Sequence, residues 1–361
     1  MSDATPPRVL VIRLGSLGDL VHTLPAVAAL RASLPNAESD AAAIVEAAAE
    51  RAVAPTVGMD WVVEEKWVPL IQMVAGIDRV IPIRRSVAGH FDCVHRLRQE
   101  RYACAVDFQG LYKSALLAWR SGAPRRLGFD RKTAREPGAA WFYTECVTPG
   151  GRHMTQLNAS LAMRAGARTP VGMHFPIHVP DEQVDNLAAK LPLTSSGDPY
   201  IVVSPGGGWK SKCWPAERYG ELCGEIWRRH GIAAVVNAGP GEDELGAAVI
   251  RASSPAKPVL LCPSLVELCA LVKKARMVVA ADTGPLHLAA ALGTRVMALF
   301  GPTDPARNGP IYEGGKCGTV LRNVSDEANS YKRGDEYSGA MLSLTVEQVV
   351  AAVERELGAR D

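Results

Sequence analysis

The stretch RVLVIRLGSLGDLVHTLPAVAALR, residues 8–31, decides the architecture. Arg8–Arg13 is a short, almost unbroken apolar run, which is how a strand buried on both faces of a parallel sheet reads. Gly15 closes it, and Ser16-Leu17-Gly18-Asp19 makes the turn. Leu20, Leu24, Val27, Ala28 and Leu30 then recur at helical spacing as far as Leu34-Pro35. Strand, glycine-containing turn and helix make the first unit of a doubly wound α/β sheet.

The same alternation continues outward. Asp60–Val63, Arg79–Ile83, Ala103–Phe108 and Arg125–Phe129 read as strands, with Pro82 setting the second of these near an edge. Leu111–Arg120 reads as a helix, and the alanine-rich Ala41–Ala54 as another. Between Thr169 and Pro199 the character changes: five prolines and the polar Thr194–Asp198 mark a junction. A helix from Asp181 to Leu191 opens the second half, and strands are expected at Tyr200–Ser204, Ala233–Asn237, Val259–Leu261, Met277–Ala281 and Val296–Phe300, with helices between them. The expected fold is α/β: two Rossmann-like doubly wound domains facing across a cleft, residues 1–180 and 181–340. A length of 361 residues suits two domains. Residues 341–361 add an amphipathic helix, Val346–Leu357, expected to return to the first domain.

Composition excludes several function classes. The net charge of +2 gives no reason to expect a nucleic-acid partner. Charge is nonetheless uneven: Arg84–Arg135 carries ten Arg and two Lys against Asp92, Glu100, Asp107 and Asp130. Such a window is either a solvated face or a contact for an anionic substrate or membrane surface. The eight cysteines form no C-x-x-C pair, so neither zinc nor a disulfide framework is expected, and the compartment reads as reducing and cytoplasmic. Met1–Pro7 lacks a signal pattern, and no apolar run reaches the ~20 residues a spanning helix needs.

Ligands of parallel sheets bind beyond the carboxyl ends of the strands, so the loops there carry the chemistry. Ser204-Pro205-Gly206-Gly207-Gly208-Trp209-Lys210-Ser211-Lys212 offers backbone N–H groups and positive charge to a phosphate, although it fits neither the P-loop nor G-x-G-x-x-G. Asn237–Glu242 ends in a carboxylate that could accept ribose hydroxyls, or only complement a helix start. In Ala281-Asp282-Thr283-Gly284-Pro285-Leu286-His287 a strand ends and a helix opens, leaving free N–H groups for an anion. Capping would account for Asp282 or Thr283 alone, and packing for His287. In the first half Asp19 is placed as a general base or as a helix cap, and Asp107-Phe108-Gln109-Gly110 would turn polar groups toward the same cleft.

These residues together resemble the ADP-heptose:lipopolysaccharide heptosyltransferases, glycosyltransferase family 9, and within it the type I enzymes. The resemblance is carried by residues 8–31, DWVVEE (60–65), RVIPI (79–83), DFQGLYKSALLA (107–118), RLGFDRKTAREP (126–137), SKCWPAERY (211–219), ADTGPLHLAAALG (281–293) and ALFGPTDPAR (298–307). It implies a GT-B fold, an inverting transfer, and neither metal nor cofactor. It implies Asp19 as general base and Lys212 on the donor diphosphate. Asp282, Thr283, Gly284 and His287 match the donor-binding segment, and Glu242 lies near the ribose-binding acid. Gly207 and Gly208 stand where type I enzymes often carry threonines, so any contact there would come from backbone N–H. Pro263 falls in the adenine-contacting loop. Ala41–Met59 looks inserted before DWVVEE, on the acceptor side.

The partners implied are ADP-heptose and an anionic glycolipid, Kdo–lipid A, met peripherally at the cytoplasmic face of the inner membrane. Lys113, Arg120, Arg125 and Arg126 are the candidates for the acceptor's carboxylate and phosphates. The same family with a different sugar or acceptor is the main alternative. A nicotinamide-dependent oxidoreductase would need a full G-x-G-x-x-G followed by an acid about 20 residues on, which neither half supplies. A non-catalytic nucleotide-sugar binder would have no use for both Asp19 and Lys212.

Overall fold

The computed structural model describes residues 7–34, 57–168, 171–191, 199–313, 318–323 and 334–358. The chain divides into two units, Met1–His178 and Val179–Asp361. The helix expected at Ala41–Ala54 lies outside the described residues, as do most of the apparent insertion and the polar stretch Thr194–Asp198.

The first unit holds β1 (Arg8–Ile12), β2 (Gly58–Glu64), β3 (Arg79–Ile83), β4 (Tyr102–Asp107), β5 (Arg125–Phe129) and β6 (Glu145–Val147). Every pair is parallel and the order is β3-β2-β1-β4-β5-β6. All five residues of β1 are buried, because strands flank it on both edges and helices cover the sheet. The order reverses at β1, between β2 and β4, so the loop after β1 opens at the switch point where such sheets bind ligands. Pro82 lies in β3, an edge strand as expected.

The second unit repeats the plan with β7 (Tyr200–Ser204), β8 (Ala233–Asn237), β9 (Val259–Leu261), β10 (Met277–Ala281), β11 (Val296–Phe300) and β12 (Gly318–Arg322). Their order, β12-β11-β10-β7-β8-β9, is again parallel throughout and reverses between β10 and β7. The loops after β7 and β10 therefore flank the second switch point. Two short strands, β6 and β12, escape the sequence reading; both are sheet edges with half-exposed residues.

The terminal helix, Val346–Gly358, is part of the second unit's core. Its apolar stripe Val349, Val350, Val353 and Leu357 lies in the core of the second unit with Trp214, Tyr219, Leu222 and Ile226. Glu354 pairs with Arg229 and His230 of the helix Ala216–His230, and Trp214 Nε1 donates to Leu344 O at 2.9 Å. Burying a Val or Leu side chain is worth about 1.5–3 kcal/mol, so this seat contributes to the stability of the second unit.

Candidate active site

In the first unit the loop after β1 is held from both sides. Gln109 Oε1 accepts from Leu14 N at 3.0 Å and Gly15 N at 3.4 Å. Gly15 has φ +155°, and a Cβ there would sit 2.6 Å from Trp67 Nε1, so the position requires glycine. Ser16 then opens the short helix Leu17–Val21, with Asp19 in its first turn.

The Asp19 carboxylate is crowded with donors. Oδ2 takes Ser16 N and Ser16 Oγ, each at 3.2 Å. Arg135 Nη2 reaches Oδ1 at 2.8 Å and Oδ2 at 2.9 Å. Arg13 Nη2 lies 2.7 Å from Oδ1 on a side chain only 1% exposed. Burial alone would raise this carboxyl, but Arg13 and Arg135 outweigh it and hold it far below the ordinary carboxylate range. Asp19 is thus ionised, as a base must be, yet its basicity is suppressed in this arrangement.

Asp107 has a different task. It is the fully buried last residue of β4 and accepts from Tyr143 Oη at 2.7 Å, Ser114 Oγ at 2.8 Å and Gln109 N at 2.8 Å. Burial still pushes its carboxyl up. Asp107 and Gln109 therefore brace the loops, and the expectation that they turn toward a ligand is corrected. His22 is buried and meets the ring of His153 edge-on at 5.2 Å, a packing role.

The four basic acceptor candidates do not converge. Lys113 sits in the first turn of the helix Tyr112–Arg120, beyond the carboxyl ends of the strands, 3.5 Å from Glu64 at the end of β2. Arg120 ends that helix at the far side, where its guanidinium stacks on Trp119 and its carbonyl accepts from Arg98. Arg125 and Arg126 open β5, whose first residues lie at the sheet edge opposite Asp19 because β5 runs parallel to β4 and β1. Arg125 pairs with Glu145 at 2.8 Å, and Arg126 donates to the carbonyls of Phe142 and Ala123. Arg120, Arg125 and Arg126 are thus separated from Asp19 by the direction of the chain. The cations the structure does place beside Asp19 are Arg13 and Arg135, which the sequence reading misses. Arg135 lies 116 residues from Asp19; its only sequence signal is its place in RLGFDRKTAREP.

In the second unit the expected residues do come together. A Cβ on Gly207 would lie 2.6 Å from Cys213 Sγ, 3.4 Å from Thr283 Cγ2 and 3.9 Å from Lys212 Cε, so the loop after β7 packs directly on the loop after β10. Gly208 has nothing within 4 Å of such a position. Lys212 Nζ stands 4.0 Å from Asp282 Oδ2 and 4.3 Å from the ring of Trp209. His287 Nε2 donates to Asp282 Oδ1 at 3.0 Å, since an ionised carboxylate can only accept. Burial pushes the Asp282 carboxyl up, but His287 and Lys212 prevail and hold it at about 2.

Thr283 caps the helix Gly284–Ala291, with Pro285 in its first turn. That helix start and Lys212 give one locus with free N–H groups and an ammonium, suited to a diphosphate. Glu242 caps the helix Asp243–Ala252; its Oε2 accepts from Gly239 N at 2.8 Å. A Cβ on Gly206 would overlap its carboxylate, so Glu242 borders the same loop. Among the described residues, no three His, Cys, Asp or Glu side chains converge as metal ligands, and no helix is long and apolar enough to cross a membrane.

Among known proteins, residues 91–337 match the model for glycosyltransferase family 9 (heptosyltransferase). The chain is similar to lipopolysaccharide heptosyltransferase 1 of Pseudomonas aeruginosa, 32% identical over 314 residues covering 84% of this chain and 81% of that one. The Escherichia coli K12 protein of the same name is 30% identical over 318 residues, covering 82% and 89%. Of solved structures, E. coli heptosyltransferase WaaC with ADP superposes at a TM-score of 0.72, with 27% identity over 97% of this chain and 99% of that one. E. coli ADP-heptose lps heptosyltransferase II, 21% identical, gives 0.77 over 97% and 98%, a likeness of fold.

Proposed function

This chain belongs to glycosyltransferase family 9, and from that premise we propose that it moves a heptose from ADP-heptose to the Kdo inner core of lipopolysaccharide, inverting the anomeric centre without a metal. It is a glycosyltransferase of the heptosyltransferase type, built as two Rossmann-like sheets of the GT-B fold. The observation that carries the donor half of the reading is the meeting of Gly207, Lys212, Asp282 and Thr283 beyond the carboxyl ends of β7 and β10.

In the proposed reaction an acceptor hydroxyl attacks the anomeric carbon opposite the diphosphate. Its proton passes to Asp19, the bond from sugar to diphosphate breaks, and the electron pair leaves with ADP. Negative charge grows on the departing phosphate oxygens. Lys212 and the N–H groups opening at Thr283-Gly284 oppose that charge. Asp282 contacts no phosphate in this scheme; with His287 fixed to its other oxygen, it orients the ammonium. Glu242 holds the ribose. The acceptor side rests on Asp19 and, at the same sheet edge, Lys113. Contact with the inner membrane is peripheral and follows from the acceptor being a lipid.

Gly207 and Gly208 present no side chains to a donor, which leaves room for a different sugar within the same family. A donor panel separates the two readings. ADP-, GDP- and UDP-sugars are incubated with Kdo–lipid A, with and without EDTA, and products are read by mass spectrometry. The proposal expects a mass gain of one heptose from ADP-heptose alone, unchanged by EDTA. Transfer only from another donor, or loss of transfer in EDTA, overturns it in the corresponding part.

A further inference from the structure

We propose that Arg135 is a latch on Asp19 that the acceptor itself opens: the acceptor carries an anionic group beside its nucleophilic hydroxyl, and that anion draws Arg135 off the carboxylate. The inference rests on Asp19 being the general base.

It starts from counting lone pairs. A carboxylate has about four acceptor positions. Oδ1 of Asp19 accepts from Arg135 Nη2 at 2.8 Å, with the Arg13 guanidinium an ion-pair neighbour at 2.7 Å, and Oδ2 has Ser16 N, Ser16 Oγ and Arg135 Nη2 within 3.2 Å. A base must come within hydrogen-bond reach of the proton it removes, about 2.6–3.2 Å. Arg135 spans both oxygens and Arg13 crowds Oδ1, so an incoming hydroxyl gains its place on the carboxylate by displacing a neighbour.

Only one of the charged neighbours is free to go. Arg13 is 1% exposed and donates its other terminal nitrogen to the carbonyl of Phe108. Ser16 N is fixed by the turn that opens the helix carrying Asp19, and the Ser16 hydroxyl, a neutral rotor, carries no charge that holds the carboxylate down. Arg135 is 44% exposed and stands in the loop after β5, outside any strand or helix. A guanidinium does not lose its charge at any working pH, so it leaves a carboxylate readily only for another anion. A carboxylate or phosphate on the acceptor supplies that exchange.

The latch has a consequence beyond acceptor choice. While it is closed, Asp19 is a poor base toward water, and the donor is protected from hydrolysis. Opened without an acceptor, Asp19 would take a proton from water as the water oxygen attacks the anomeric carbon. Free heptose and ADP would result. Arg135 is thus a positioning and specificity-determining residue that acts through Asp19.

The test compares wild type, Arg135→Met and Arg135→Lys in two assays. The first is ADP release from ADP-heptose with no acceptor. The second is transfer to three acceptors: the free acid, its methyl ester and the dephosphorylated form. A correctly placed base is worth on the order of 10²–10⁴-fold, so Arg135→Met should raise hydrolysis roughly tenfold or more, and Arg135→Lys less. Adding Asp19→Asn to Arg135→Met should remove the gain. In wild type the methyl ester or the dephosphorylated form should be discriminated against, whichever removes the operating anion, and Arg135→Met should lose most of that discrimination. Unchanged or reduced hydrolysis, with all acceptors falling in parallel, overturns the latch. Absence of any sugar transfer by wild type would instead overturn the functional reading beneath it.

Discussion

Replacing Lys212 by Met removes a largely shielded ammonium from the donor locus while keeping its apolar stem. The side chain is 11% exposed and lies 4.0 Å from Asp282, so its charge acts in a partly desolvated site. A hydrogen bond to a charged group is worth about 1.5–3 kcal/mol, which weakens the donor roughly 10- to 150-fold. Charge on the leaving phosphate grows toward the transition state, and loss of one preorganised donor there costs on the order of 10²–10³ in kcat. Both effects should appear together. Donor Kd is measured by displacement of a fluorescent ADP, and kcat by coupled release of ADP at saturating donor. His287 keeps its hydrogen bond to Asp282, so the fold should survive, and circular dichroism checks it. Donor Kd and kcat both within twofold of wild type would refute the assignment of Lys212 to the diphosphate.

Further predictions follow from single contacts. Gly207→Val should distort the donor loop, because its Cβ enters 2.6 Å from the buried Cys213 Sγ, toward Thr283 and Lys212, and the neighbours have to shift; a fall in ADP affinity of tenfold or more, on the order of a lost anion contact, is expected by calorimetry, with circular dichroism checking the fold. Asp282 is held at about 2, below its ordinary value of 3.8, so it contributes stability above pH 4 that is lost as pH falls through 2. Asp282→Asn should therefore be less stable than wild type by about 2 kcal/mol at pH 6, with the gap closing toward pH 2 in urea titrations. Arg125→Glu breaks a half-exposed pair with Glu145 and should lower Tm by a few degrees, on the order of 1 kcal/mol, while acceptor KM stays within twofold; a large rise in KM would restore Arg125 to the acceptor site.

The contrast between Lys212 and Arg125 shows what could be read in advance. β1, β7 and β10 are legible because each is a run of buried, mostly apolar residues followed within three residues by glycine or an acid, and the loops after such strands face the ligand edge. Gly207, Asp282 and Thr283 lie within three residues of such a strand end and Lys212 eight residues beyond β7, all in the loops that follow, so local reading suffices. Arg125 and Arg126 were assigned from a charge excess, which does not say which end of a strand a residue occupies. Arg135 is not legible locally, because its partner Asp19 is 116 residues away in the chain and the pairing of β1, β4 and β5 brings their loops to the same sheet edge. Arg13 sits at the end of an apolar run, and an arginine buried there needs a carboxylate, which is the signal that points to Asp19. β6 and β12 carry too few apolar residues to stand out, since an edge strand is shielded on one side only.

Asp19 carries the whole chemical assignment. Single-turnover transfer from ADP-heptose to Kdo–lipid A by wild type and Asp19→Asn, with donor Kd measured on the same samples, tests it most directly. The transfer rate should drop on the order of 10²–10⁴-fold while donor Kd holds within twofold. An Asn variant that transfers at close to the wild-type rate would contradict the account at its centre.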